Sequence, residues 1–496
     1  MSTLDLVILV VYVGGVVGFG MTFAKEAATS DGFTAANRNL PGWLVGLSIF
    51  GTYLSSISFL ALPGKAFADG FAPFAFSLSL PIAAYAAVRW FAPLYRASGD
   101  VSAYAYLERR FGLWARLYAM TCYLLTQLAR MGTILYLVAL AMAPFTGLDV
   151  AALIVAAGIL VTAYTVIGGI EAVIWTDAVQ SVVLTLGALV SVGYLFFAGP
   201  VPPGEMIATT AAAGRFTLGS FDVDLTAAGF WTVFVYGLAI NLQNFGIDQS
   251  YIQRYQSASS LAEARRSVWV GALLYIPVSA LFLLIGALLF AYYQYLPDRL
   301  PIDIAADKVF PHFIVDALPS GIVGLVIAAL FSAAISSVDT SLNSSATILM
   351  SDVYLRFLRP DADERSKMRF LRGVSVGMGV LGTGAALLMI SAKGALDIWW
   401  SWAGVFSGGM LGLFLLGAIS RRARSREAAV GAAVGLSIIV WATGAGKFGW
   451  TPAPPFHGLF TVVAGTLALF AVGAILSRRR ERLAKTAPAR TLFDLD

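Results

Sequence analysis

The architecture of this chain turns on residues 47–59, Leu47-Ser48-Ile49-Phe50-Gly51-Thr52-Tyr53-Leu54-Ser55-Ser56-Ile57-Ser58-Phe59. They sit in the middle of an apolar run, 43–69, long enough to cross a bilayer as a helix. A glycine and a cluster of hydroxyls interrupt that run near mid-depth. Lipid offers no hydrogen bonds to backbone groups, so an interrupted helix at that depth has to be buried in protein or line a cavity. Breaks of this kind release carbonyls for a cation and helix ends for a solute. The competing account is a seam of small residues that lets a neighbouring helix approach.

Outward from this run, the chain is apolar almost throughout. Of its 496 residues 58% are apolar and 12% charged. A soluble domain carries about 25% charged residues, so much of the surface must face lipid. Thirteen candidate spans are expected at 4–24, 43–69, 71–95, 114–145, 149–168, 172–198, 226–247, 267–294, 320–353, 373–391, 397–419, 427–446 and 457–477. The N-terminus lacks a basic segment and a small-residue cleavage site, so 4–24 is read as a retained span. Most of the 33 basic residues fall in alternate connections, among them Arg96, Arg109, Arg110, Arg254, Arg265, Arg356, Arg421, Arg422 and Arg478. The remaining connections hold only Arg215, Arg299, Lys308, Lys393 and Lys447. The positive-inside rule then puts the N-terminus out and the C-terminus in. The same distribution removes nucleic acid as a partner, because the basic residues are topology signals. Cys122 is the sole cysteine, which leaves no intrachain disulfide, and His312 and His457 fall in expected outer loops.

Four further constellations carry candidate chemistry. In the ninth span, Ala333, Ser336, Ser337 and Thr340 share one helix face, and Asp339 lies a turn beyond Ser336. Hydroxyls and carbonyls suit a hard cation such as sodium, although serines also bond back to their own helix. An aspartate at bilayer depth costs roughly 2.5–3.5 kcal/mol on insertion scales, which calls for a reason. Asp177, in Trp175-Thr176-Asp177, sits a turn inside the sixth span on the same cytoplasmic side, so the two carboxylates are placed to share a cation or a proton. The plain alternative is a capping or snorkelling residue. Arg130 lies mid-span in Gln127-Leu128-Ala129-Arg130; its guanidinium either forks onto a substrate carboxylate or pairs with one of the aspartates. Last, Asn241 to Arg254 forms a polar break that reads equally as a second interrupted helix or as a helix running out into the cytoplasm.

These residues resemble the sodium:solute symporter family. The resemblance rests on Gly168-Gly169-Ile170-Glu171-Ala172-Val173-Ile174-Trp175-Thr176-Asp177, on Asp248-Gln249 through Gln253-Arg254-Tyr255, and on Ala333–Ser337 followed by Asn343-Ser344. It implies an all-α membrane protein with a five-plus-five inverted-repeat core like that of bacterial leucine transporters. The expected organisation is a single transmembrane domain over 1–496: an extra helix at 4–24, repeats at 43–198 and 226–419, two peripheral helices at 427–477 and a cytoplasmic tail at 478–496. It also implies a main sodium site made by the carbonyls of Gly51, Leu54 and Ala333 and the hydroxyls of Ser336 and Ser337. The sialic acid transporters of the family carry a second sodium site, whose matching positions are Asp177, Ser336, Asp339 and Thr340. Asp339 replaces a serine of the family pattern, which leaves a tighter sodium site or a proton site open. The run Arg130-Met131-Gly132-Thr133 is similar to the sialic acid branch, in which the arginine grips the substrate carboxylate. Tyr53, Ser55 and Ser58 match substrate-contacting positions, as do Pro73 and Ser77, where a glutamine is common at the position of Ser77.

The expectation is sodium-coupled symport of a small organic anion by alternating access, by a multi-pass monomer in the cell inner (plasma) membrane, with Na+ as the coupling ion and no enzymatic step. A proton-coupled symporter using Asp177 and Asp339 is the first rival. A solute sensor is the second; the short segment after the last span argues against it. No nucleophile–base pair or metal cluster supports a membrane enzyme.

Overall fold

A computed structural model of the chain describes residues 2–390 and 408–483. The described residues are helical, with no strand; one isolated backbone bridge joins Leu40 and Ala258. Among the described residues, nine helices are long and apolar enough to cross a membrane, and a bent helix pair makes a tenth.

The peripheral first helix, α1 (Thr3–Met21), is followed by α2 (Gly42–Tyr53) and α3 (Ser56–Asp69). These two are the halves of the run at 43–69, bent by 55°. Leu54 and Ser55 are extended at the break, and the Ser55 hydroxyl caps α3 by accepting from the Ser58 N–H. The interruption expected at Gly51 and its hydroxyls therefore lies just past Tyr53.

After α4 (Leu113–Thr146) comes α5 (Val150–Phe197), 48 residues long. At 1.5 Å per residue it would be about 72 Å if straight, over twice the hydrocarbon thickness. It is not straight: Gly169 has φ 57° and ψ −158°, a conformation only glycine adopts without strain. A side chain at Gly169 would also strike the Phe33 backbone. The two runs expected at 149–168 and 172–198 thus meet at this turn.

Next, α6 (Phe230–Ile247) and α7 (Gln249–Ser257) are separated by Asp248, which is extended and caps α7 through the Ser250 N–H. Of the two readings of 241–254, the interrupted helix is the one found. Beyond it lie α8 (Leu261–Tyr295), α9 (Ile322–Leu349), α10 (Glu364–Ile390), α11 (Ser425–Phe448) and α12 (Phe460–Leu483). His312 is on a short helix, Ala306–Asp316, rather than in an open loop. The span expected at 397–419 is described only from Gly408 to Ile419. Lys393 and the part of the 478–496 tail beyond Leu483 lie outside the described residues; up to Leu483 that segment prolongs α12.

Burial ranks the helices. In the most apolar window of α9, 83% is buried inside the protein, against 17% for α1. The central helix α9 packs along α5, and α2 lies on both α5 and α8. The break in α2–α3, the acidic turn of α5 and the serine face of α9 therefore converge.

Candidate functional site

Gly51 marks the meeting point. A Cβ there would lie 2.6 Å from the Ser181 hydroxyl, 3.4 Å from the Asp177 carbonyl and 3.5 Å from the Ser336 hydroxyl. Glycine is required because α2 presses its backbone against α5 and α9 at one level.

Around Asp177 the structure builds a saturated buried network. Ser336 donates to Asp177 Oδ1 at 2.6 Å. Ser48 donates to Oδ2 at 2.5 Å, and Arg254 Nη2 donates to the same oxygen at 2.7 Å. Arg254 Nε reaches Ser48 at 2.7 Å, its Nη2 reaches Thr340 Oγ1 at 2.8 Å, and its Nη1 reaches the Ser250 carbonyl at 2.8 Å. Both charged side chains are fully buried. Arg254 is thus neither a solvated end nor a surface charge: it ties α7 to α2, α5 and α9. A buried pair is tolerated only when its remaining polar atoms are bonded as well, and five donors on one guanidinium make that possible.

Asp339 has a different environment. Fully buried, it accepts a hydrogen bond from Tyr164 of α5 on Oδ2, while Oδ1 has no hydrogen-bond partner among the described residues. Of the four positions of the expected second site, Asp177, Ser336 and Thr340 fall into the Arg254 network. Asp339 stands beside that network with an open oxygen.

The main-site positions divide in the same way. Ser337 bonds back to the Ala333 carbonyl at 3.1 Å, and Ser336 turns to Asp177 instead. A donated proton leaves the lone pairs of a hydroxyl able to face a cation. Ser181 donates to the Asp177 carbonyl at 2.6 Å and lies 3.1 Å from that of Leu47, which holds α2 to α5 opposite the serine face.

Arg130 is half-buried, and its one hydrogen bond among the described residues runs from Nη2 to the Thr52 carbonyl at 3.1 Å. No carboxylate among the described residues lies within 4 Å of it, so it is not the partner of either aspartate. At the same break Ser58 donates to the Tyr53 carbonyl at 3.5 Å. The Tyr53 hydroxyl donates to Asn241 Oδ1 at 3.3 Å, and Asn241 donates onward to Ser79 at 2.9 Å. The Tyr53 ring packs against Phe245, Tyr251 and Tyr275 with centroids 5.5, 5.2 and 5.1 Å away. Arg130, Tyr53, Ser55 and Ser58 therefore gather at the break. Ser77 instead accepts from Ser279 of α8 at 2.9 Å, and Pro73 starts the helix Phe74–Leu78. Ser48 and Asn241, from the two polar stretches, complete the region together with Tyr164 and Tyr275, which nothing in the sequence marks.

The segment after Gly99 is pinned to α7 and to the turns Met350–Leu358 that follow α9. Gln249 bonds Ala103 N at 2.8 Å and the Val101 carbonyl at 2.7 Å, and Ser102 donates to Asp352 at 2.9 Å. Asp352 also pairs with Arg116 at 2.6 Å.

The family model for the sodium:solute symporter family matches residues 33–435. The sodium/sialic acid symporter SiaT of Proteus mirabilis is 34% identical over 477 residues, covering 94% of this chain and 95% of its own. The structure of a Na+-coupled sialic acid symporter in a substrate-bound outward-open state superposes with a TM-score of 0.90 at 31% identity, covering 99% of each chain. The transporter Mhp1, of the nucleobase-cation-symport-1 family, has a TM-score of 0.57 at 16% identity over 91% of this chain and 95% of its own, which shows a shared fold.

Proposed function

The chain belongs to the sodium:solute symporter family, and from that premise we propose that it imports a small carboxylate of the sialic acid class down a sodium gradient. Sodium is the coupling ion, and the protein is a multi-pass protein of the cell membrane. Thirteen spans with the N-terminus outside, a five-plus-five repeat over 43–198 and 226–419, and a monomeric unit complete the reading. The turn at Gly169 and the paired breaks at Leu54 and Asp248 support that repeat.

The observation that carries the substrate class is Arg130. It is half-exposed at the break, unpaired with any described carboxylate, and uses one donor on Thr52. The remaining donors form a planar fork suited to a carboxylate. The main sodium ion is assigned to the carbonyls of Gly51, Leu54 and Ala333 with the hydroxyls of Ser336 and Ser337. An ion there joins the break to α9, and the solute docks against Tyr53, Ser55 and Ser58, with Pro73 and Ser77 at its margin. Coupling then follows from linkage: sodium raises solute affinity, and the solute raises sodium affinity by the same factor. The cytoplasmic ties at Asp352 and Gln249 have to open for release.

The second ion is assigned to Asp177, Ser336, Asp339 and Thr340, with the weight on Asp339. Arg254 is already paired with Asp177, whereas Asp339 is in no ion pair among the described residues and keeps an oxygen without a hydrogen-bond partner there. Titrating sodium against binding of N-acetylneuraminate at fixed ionic strength tests both sites. Affinity is expected to rise at least about tenfold between sodium-free and sodium-rich buffer, within the range of ordinary coupling energies. In Asp339→Asn the Hill coefficient for sodium should fall from near two towards one. An affinity indifferent to sodium contradicts the main site, and a wild-type coefficient of one contradicts the second. Uptake driven by a pH gradient alone would favour the proton-coupled alternative.

A further inference from the structure

α1 is the least buried of the described candidate spans, and Leu4, Leu6, Val7, Val10 and Val11 on it are exposed along the lipid side. Its polar side chains nevertheless reach the central helix. Asp5 is only 1% exposed. Its Oδ1 accepts from the backbone N–H groups of Gly321 at 2.6 Å and Gly324 at 2.9 Å. Its Oδ2 accepts from the Ser2 N–H at 2.9 Å and from the Ser2 hydroxyl at 2.7 Å, which fixes the carboxylate at the start of α1.

Gly321 is the residue before α9, and it has no side chain with which to cap the helix. The first N–H groups of a helix need acceptors, and a carboxylate there also meets the positive end of the helix dipole. Asp5 therefore supplies from α1 the cap that α9 lacks. The fit is close: a Cβ on Gly324 would lie 2.7 Å from the Asp5 Cα.

Two contacts further along repeat the pattern. The hydroxyls of Tyr12 and Ser332 lie 2.5 Å apart, and Ser332 immediately precedes Ala333. Near its end, α1 brings Gly20 against Tyr164, the partner of Asp339: a Cβ at Gly20 would stand 3.0 Å from the Tyr164 ring. One lipid-facing helix thus touches α9 at its cap, α9 again beside Ala333, and the tyrosine that holds Asp339.

We propose that α1 is a splint that sets the register of α9 for cation binding, with Asp5 and Tyr12 as positioning residues for sodium. The proposal rests on the sodium sites assigned above. A cation held by carbonyls and hydroxyls from two helices tolerates little displacement of either, so a loosened α9 lowers sodium affinity before it alters the solute pocket around Arg130. The assigned sodium ligands lie on α2 and the break after it, on α5 and on α9; α1 would act on them without touching the ion.

The test uses the full chain, purified, with Asp5→Ala, Asp5→Asn and Tyr12→Phe. Two quantities are read: the sodium concentration that half-saturates N-acetylneuraminate binding, and solute affinity at saturating sodium. Asp5→Ala and Tyr12→Phe should each raise the half-saturating sodium concentration by about three- to tenfold, the scale of a lost cap or hydroxyl bond. Solute affinity at saturating sodium should stay within about twofold in both. Asp5→Asn retains an acceptor oxygen and should fall between Asp5→Ala and the wild type. A purely structural role would reduce the yield of folded protein and leave the sodium dependence of the folded fraction unchanged, and that result overturns the proposal. If Asp5→Ala does not fold, Tyr12→Phe, which removes one hydroxyl, decides alone. A wild type indifferent to sodium overturns the sodium sites themselves and the splint with them, whereas a sodium-dependent wild type with unshifted variants overturns only the splint.

Discussion

Arg130→Ala loses uptake of anionic solutes by about 30-fold or more, the factor that corresponds to the roughly 2–5 kcal/mol cost of truncating one partner of a desolvated charge pair. The fold should survive, because Arg130 is half-buried and the hydrogen bond it gives up among the described residues is the one to the Thr52 carbonyl. Arg130→Lys keeps the charge and loses the planar fork, so it should retain an intermediate fraction of transport. Competition assays with sialic acids, monocarboxylates and neutral sugars check the assignment. Anions should be affected selectively; equal loss of neutral solutes would make Arg130 a structural residue of the break.

The second large effect is expected at the buried pair. Asp177→Ala leaves Arg254 charged and unpaired in a fully buried site, at a cost of about 3–5 kcal/mol of stability. Its other bonds, to Ser48, Thr340 and the Ser250 carbonyl, cannot offset a missing counter-charge. Arg254→Met alone is expected to be similarly damaging, since it strands the carboxylate. The double variant Asp177→Ala/Arg254→Met removes both charges and should recover much of the melting temperature measured in detergent. That non-additivity is the signature of a direct pair. Additive losses would mean that each residue acts through separate neighbours.

Much of this arrangement is legible from residue order. A glycine among hydroxyls inside an apolar run has few stable solutions in lipid, which is why the break beside Gly51 is predictable. Gly168-Gly169 between two apolar runs signals the turn that divides α5. Asp177 and Ser336 carry their own cost or periodicity and are found to be hydrogen-bonded. The partner of Asp177 was harder to assign. A polar stretch that closes an apolar helix has the composition of a solvated end, and only packing distinguishes that from the buried Arg254. Tyr164 is one tyrosine in an apolar segment, and nothing in its neighbours marks it as the residue that faces Asp339. Asp5 is hidden for another reason. Its partners, Gly321 and Gly324, offer backbone N–H groups, which every residue but proline has, so no side-chain pattern records the contact.

On the proposed mechanism a sodium gradient drives a carboxylate inward. The direct measurement is uptake of radiolabelled N-acetylneuraminate into proteoliposomes holding the purified protein, under an inward sodium gradient, an inward proton gradient without sodium, and no gradient. Accumulation above equilibrium with the sodium gradient alone, abolished by a sodium ionophore, is the predicted result. Accumulation driven equally by protons without sodium, or mere equilibration in all three conditions, would contradict it.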